Sequence, residues 1–192
     1  MNKQQQILAA AREVFAQKGF HGTSIKDIAT KASVAQGTPY LYFKSKEELF
    51  EKLILSLLDE TNSVLKEIAD QKKDLLGKLD DFVTENITNA YKHREISIML
   101  MRDSGLFSSA KNKKNNNMMA IFKERENIIE DTFKKHKDDN VIDPDFDCNE
   151  AAKIFTAIVA GMSHKIIMGA DNDTEKSISM IKKTVRKALI KK

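Results

Sequence analysis

A single cysteine, Cys148, excludes an intramolecular disulfide framework, and nothing in the sequence calls for an oxidising compartment, so a cytoplasmic address is expected. Proline and glycine are scarce, two and seven in 192 residues, which leaves the chain few obligatory breaks. Alternating apolar and polar runs bounded by turn residues are also missing; their absence removes the usual mark of strands and predicts an all-α chain. The longest apolar stretch, 154–162, has nine residues, well short of the roughly 20 that cross a bilayer. Arg12 interrupts the region where a signal peptide needs an apolar run, so neither a leader nor a membrane partner is expected. Charge of one sign is not in large excess, 32 basic against 28 acidic residues, but seven basic and four acidic groups fall in residues 1–50. Three of the four net positive charges therefore sit in the first quarter. His21, His93, His136, His164 and Cys148 are scattered, with no Glu-x-x-His pair of the di-iron type. No metal, cofactor or catalytic constellation is expected, and the chain reads as a non-enzyme.

What is present is helical periodicity. A first helix over about 3–18 carries Ile7, Ala11, Val14 and Phe15 on one face and ends at Gly19. Thr23 and Ser24 offer a cap for a second, barely two turns long, with Ile25, Ile28, Ala29 and Ala32. The stretch "VAQGTPYLYF" (34–43) predicts a short third helix that starts poorly, because Pro39 removes a donor; either Ala35 or Thr38 would cap it. Ser45 and Glu48 then form a capping box for a long amphipathic helix through Leu49, Leu53 and Leu57. Longer helices follow at about 75–92, 95–103, 117–137, 148–169 and 174–191, with "KNKKNNN" (111–117) as a polar loop. The predicted organisation is a helix-turn-helix domain at 1–46 and a larger helical domain at 47–192.

Two short helices around a tight turn, ahead of a long amphipathic one, are the layout of a helix-turn-helix DNA reader. Close crossing asks for a small residue, met by Ala29; the turn four residues later favours glycine, which a left-handed conformation suits, and Ser33 fills that place imperfectly, with Val34 and Pro39 as apolar anchors. Residues 20–50, "FHGTSIKDIATKASVAQGTPYLYFKSKEELF", resemble the DNA-binding domain of the tetracycline-repressor (TetR) family. Gly19, Thr23, Ser24, Ile25, Ile28 and Ala29 fill the first part of its pattern, Val34, Gly37, Thr38, Tyr40, Tyr42 and Phe43 the second, and Ser45, Lys46, Glu47 and Leu49 the third. The departures are Ser33 for glycine, Ala35 for serine and Pro39 for an aliphatic residue.

The resemblance implies an N-terminal three-helix reader followed by a helical ligand-binding and dimerisation domain. It implies a homodimer on an inverted-repeat operator in double-stranded DNA, and repression relieved by a small apolar effector. A helical adaptor without DNA binding, and an enzyme, stay open as alternatives. Among reader residues, Gln36 can pair with adenine and Thr38 can touch a thymine or a base edge. Ala35 and Gly37 border them, Tyr40, Tyr42, Thr23 and Ser24 offer hydroxyls to phosphates, and Lys44 and Lys46 add cations. Leu41 and Phe43 read as core. For the effector pocket the candidates are Phe82, Tyr91, Met99, Leu100, Phe107, Met118 and Phe122, aromatic and methionine side chains that tolerate irregular apolar shapes. For the dimer interface they are Ile158, Ala160 and Gly161, in a helix apolar around much of its girth, with Ile181 and Val185 on the stripe of the last helix.

Overall fold

The structure is a computed structural model describing residues 2–102, 114–139, 141–143, 145–169 and 173–191; the side chains of 100–102, 114–116 and 138 fall outside the description. Eight α-helices occur among the described residues: α1 (Lys3–Gly22), α2 (Ile25–Lys31), α3 (Lys46–Ala69), α4 (Leu75–Lys92), α5 (Arg94–Arg102), α6 (Lys114–Lys135), α7 (Cys148–Met168) and α8 (Thr174–Leu189). They pack as two units, Met1–Leu58 with His93–Met118, and Asp59–Lys92 with Met119–Lys192. The first thus extends past the expected border at 46, because Leu49, Phe50, Leu53, Ile54 and Leu57 of α3 all bury in the N-terminal core.

In the first unit, Asn2 and Gln5 form a reciprocal capping box that starts α1. The helix breaks where expected, at Gly19 with φ 71°, a conformation only glycine adopts freely, and resumes for one turn to Gly22. Phe15, Phe20 and Phe50 then cluster with ring centroids 5.0–5.8 Å apart. Ser24 caps α2 with Asp27 returning the bond. At its far end the Ser33 amide donates to the Thr30 carbonyl and the Val34 amide to Ala29, the paired bonds of a Schellman turn. Ser33 occupies its left-handed position at φ 52°. Buried Ala29 lets the turn fold back on α1. The start of α3 departs from expectation: the Ser45 hydroxyl accepts the Glu48 amide, but the Glu48 carboxylate accepts from Lys44 at 2.7 Å and not from Ser45.

The second unit packs α4, α7 and α8 against one another around Leu79, Phe82, Val83, Phe155, Val159, Ile181 and Val185. Asp147 and Glu150 box the start of α7, and Asp173 caps α8. Lys78 is buried, its ammonium donating to the last turn of α3 at Ala69 O, 2.7 Å away. By length and composition α7 is apolar enough to cross a membrane; here Ala151, Ala152, Phe155, Val159 and Ile167 give it a face buried in the unit's core. Among the described residues no β-strand occurs, only a single antiparallel bridge between Ile142 and Ile190.

Candidate nucleic-acid interface and ligand cavity

The segment expected to be a short helix forms only a 3-10 turn, Thr38–Leu41. Gly37 stands at its cap position with no side-chain bond, so neither Ala35 nor Thr38 caps it, and proline falls at the second position. The reason is local. Thr38 N donates to Ala35 O, Tyr40 N to Gly37 O and Tyr42 N to Pro39 O, closing tight turns that need no donor from Pro39. At about 2 Å of rise per residue the turn is roughly 8 Å long, small enough to enter a major groove about 12 Å wide.

Pro39 and Phe43 hold this turn to the core, both buried, while Ala35, Gln36, Gly37, Tyr40, Tyr42 and Lys44 are exposed and Thr38 is half-buried. Leu41, expected in the core, is 80% exposed, since the turn points it away from the side that Pro39 and Phe43 bury. It belongs to the same exposed strip as Tyr40 (58%) and Tyr42 (41%). The strip is therefore polar at Gln36 and Thr38 and amphipathic over the next four residues, chemistry suited to base edges and to sugar and phosphate.

Two expected reader residues are placed elsewhere. Thr23 is buried, and its hydroxyl donates to the Gly19 carbonyl at 2.7 Å, so it closes the end of α1. The Lys46 ammonium donates to Phe20 O (2.8 Å) and Thr23 O (2.9 Å) and lies 4.5 Å from the centroid of the Phe20 ring. It adds a charged donor to two carbonyls where α1 ends, Phe20 O, which also accepts the Thr23 amide at 3.3 Å, and Thr23 O, a role 23 to 26 residues away in sequence that no local motif announces. Ser24 is exposed, but its hydroxyl is engaged with Asp27, accepting the amide and donating to the carboxylate at 2.6 Å. Asp27 is held well below the usual carboxylate range, first by the Lys18 ammonium at 2.8 Å and then by the Ser24 hydroxyl and amide.

The second unit contains a cavity of about 300 Å³. Of the expected pocket residues, Phe82 and Phe122 line it. Met99 and Met118 do not: both pack on the core of the first unit, to which residues 93–118 return. Tyr91 packs on the core of the second unit without lining the cavity. Phe107 and the side chain of Leu100 lie outside the described residues. Sequence reasoning missed the polar lining, Asn86, Arg125, Glu126 and Lys153, because each reads as an ordinary helix-surface residue. The Arg125 Nε donates to Asn62 Oδ1 at 3.0 Å, and its guanidinium carbon is 6.0 Å from the Phe122 ring centroid. Burial pushes its pKa down from the ordinary value, although an arginine remains charged at neutral pH.

Of the expected dimer residues, Ala160 and Gly161 are exposed, Gly161 with no atom within 4 Å of the position a Cβ would take, and Ile158 is half-buried. Ile181 and Val185 are corrected: at 0% and 1% exposure they belong to their own chain's core, where the α8 stripe meets α4 and α7. An apolar stripe announces a buried face but not which chain buries it.

Residues 7–53 match the family described as bacterial regulatory proteins, tetR family. The chain is 37% identical over 97 residues to the HTH-type transcriptional regulator YvdT of Bacillus subtilis, covering 50% of each chain. In general it spans about half the length of the curated relatives it matches. Among solved structures it resembles the fatty acid degradation regulator FadR of Bacillus halodurans, with TM-score 0.78 and 18% identity over 96% of this chain and 95% of that one. It also resembles FadR of Bacillus subtilis in complex with stearoyl-CoA, with TM-score 0.73 and 22% identity over 95% of each. At these identities the two structures establish a shared helical fold.

Proposed function

From the premise that this chain belongs to the TetR family of bacterial regulatory proteins, we propose that it is a cytoplasmic, ligand-responsive transcriptional repressor. In this reading it binds an inverted-repeat operator as a homodimer and is released by a small effector with an apolar body. The observation that carries the reading is the exposed strip Ala35–Lys44 held on buried Pro39 and Phe43: polar and aromatic side chains are presented to solvent from a turn short enough for a groove. Gln36 and Thr38 supply specificity, while Tyr40, Tyr42 and Lys44 supply affinity. The open face at Ala160 and Gly161 supports a close helix contact between two copies, and a dyad would place two such turns on successive half-sites.

The test is electrophoretic and fluorescence titration against genomic fragments over a range of salt. The expected result is one or a few fragments bound with steep salt dependence, with Gln36→Ala costing about 1–3 kcal/mol on those fragments and leaving random DNA unchanged. Equal losses on both kinds of DNA would remove the specificity role. Salt-independent or absent binding would return the chain to the adaptor reading. Gly161→Glu should sediment as a folded monomer, since a charge would be trapped in a close helix contact; a persisting dimer would move the interface elsewhere.

A further inference from the structure

The cavity in the second unit is apolar in its body, with Phe82, Phe122, Ile129 and Phe155 among its walls, and its polar groups are mainly cationic or neutral donors. Lys153 is exposed, whereas Arg125 is half-buried. No carboxylate pairs with it among the described residues; its Nε is taken by Asn62, and burial disfavours its charge. Glu126, the acidic group in the lining, already pairs with Lys123 at 3.2 Å. Lys153 adds a second cation at the rim and Asn86 an amide. A guanidinium drawn out of water, held by one edge and opening on an apolar space, presents its remaining donors to whatever fills that space.

We propose that the effector is an anionic amphiphile, an apolar chain ending in an oxyanion, whose head is taken by Arg125 with Lys153 and Asn86 nearby. Volume limits the tail. A dry cavity of about 150 Å³ holds benzene, so one about twice that size accommodates roughly a dozen non-hydrogen atoms, the size of a ten-carbon carboxylate. Asn62 acts as a positioning residue: it accepts from Arg125 while its own amide donates to Ile121 O (2.9 Å) and Glu124 (3.3 Å), which fixes the guanidinium plane. Because Asn62 lies on α3, a head group pulling on Arg125 acts on the helix whose earlier turns build the reader's core. The same oxyanion chemistry could come from a free carboxylate or from the phosphates of a nucleotide thioester.

This inference rests on the effector-controlled reading above, and the experiment separates the two. Decanoate, decyl phosphate, decanoyl-CoA, decanol and decyltrimethylammonium are titrated calorimetrically against the full chain, with and without bound operator fragment. Decanoate or decyl phosphate is expected to bind at least tenfold more tightly than decanol, with the cation weakest. A preference for decanoyl-CoA over both would assign the head to the nucleotide. In Arg125→Met the preference for anion over alcohol should collapse by about ten- to a hundredfold, with decanol binding unchanged. Should that variant fail to fold, Arg125→Lys, which keeps the charge but not the planar fork, should show a reduced preference. Equal binding of decanol and decanoate by the wild type, or an anion preference intact in either variant, overturns the proposal. Anion binding through Arg125 that leaves operator affinity unmoved supports the site and refutes effector control.

Discussion

A cation in each unit is drawn partly out of bulk water, Lys46 in the first and Arg125 in the second, and the two are treated in opposite ways. In the N-terminal unit the Lys46 ammonium has two carbonyls and a ring face around it, so most of its donor capacity is spent inside the protein. In the second unit the Arg125 guanidinium, with five donors, spends one on Asn62 among the described residues and lines a cavity. Burial and charge alone do not distinguish the two sites. The count of partners does: a satisfied cation is part of the fold, and an under-satisfied one beside an apolar space is poised for a ligand.

Removing the satisfied cation should have the largest effect. Lys46→Ala leaves the Phe20 and Thr23 carbonyls without their charged donor and should lower stability by about 2–3 kcal/mol, read as a shifted urea midpoint at unchanged slope. A variant that melts like the wild type but binds DNA with a flatter salt slope would reverse the assignment and make Lys46 a phosphate contact. A smaller effect is expected at Lys18, which pairs with Asp27 at the surface of the same unit. Asp27 is more acidic folded than unfolded, so its contribution is fully present above the ordinary carboxylate range near pH 4 and fades as pH falls through its lower folded value. Melting temperatures of wild type and Asp27→Asn should therefore differ by a constant amount from pH 7 to 5 and converge below 4; a difference unchanged at low pH would mean that the carboxylate's charge does not matter. The smallest effect is expected at Arg125. Without ligand, Arg125→Met should change stability by no more than about 1 kcal/mol in either direction, because the apolar side chain loses one hydrogen bond but sheds a desolvated charge. A loss comparable with that of Lys46→Ala would erase the contrast between the two cations.

Legibility in the sequence followed the range of the interaction. The Gly19 break, the cap at Ser24, small Ala29, the left-handed position at Ser33 and buried Pro39 and Phe43 are set within a few residues, and local residue types together with the helix-turn-helix layout pointed to them. The reader was harder, because one proline decides between a helix and a 3-10 turn by which carbonyls its neighbours reach, and the placement of Leu41 follows from that choice. Contacts between distant parts of the chain were not legible. Met99 and Met118 join the first unit because the chain returns there after α4, and Lys46 meets carbonyls on the far side of α2. Arg125 was invisible for a related reason: its meaning lies in the cavity it lines and in its bond to Asn62, 63 residues away in sequence.

Ser33 bears on the unfolded chain as well as the folded one. A serine at φ 52° costs on the order of 1 kcal/mol relative to an unstrained conformation, whereas glycine there would be free of that strain. Glycine, however, would also widen the denatured ensemble and give back much of the difference as lost entropy on folding. The residue is thus close to neutral for overall stability while being unfavourable for the turn considered alone. It follows that the hand of this turn is imposed by Val34, Pro39 and Ala29 packing on either side of it, and a peptide cut from the chain around residues 20–45 would not keep the bend that sets its two short segments at an angle.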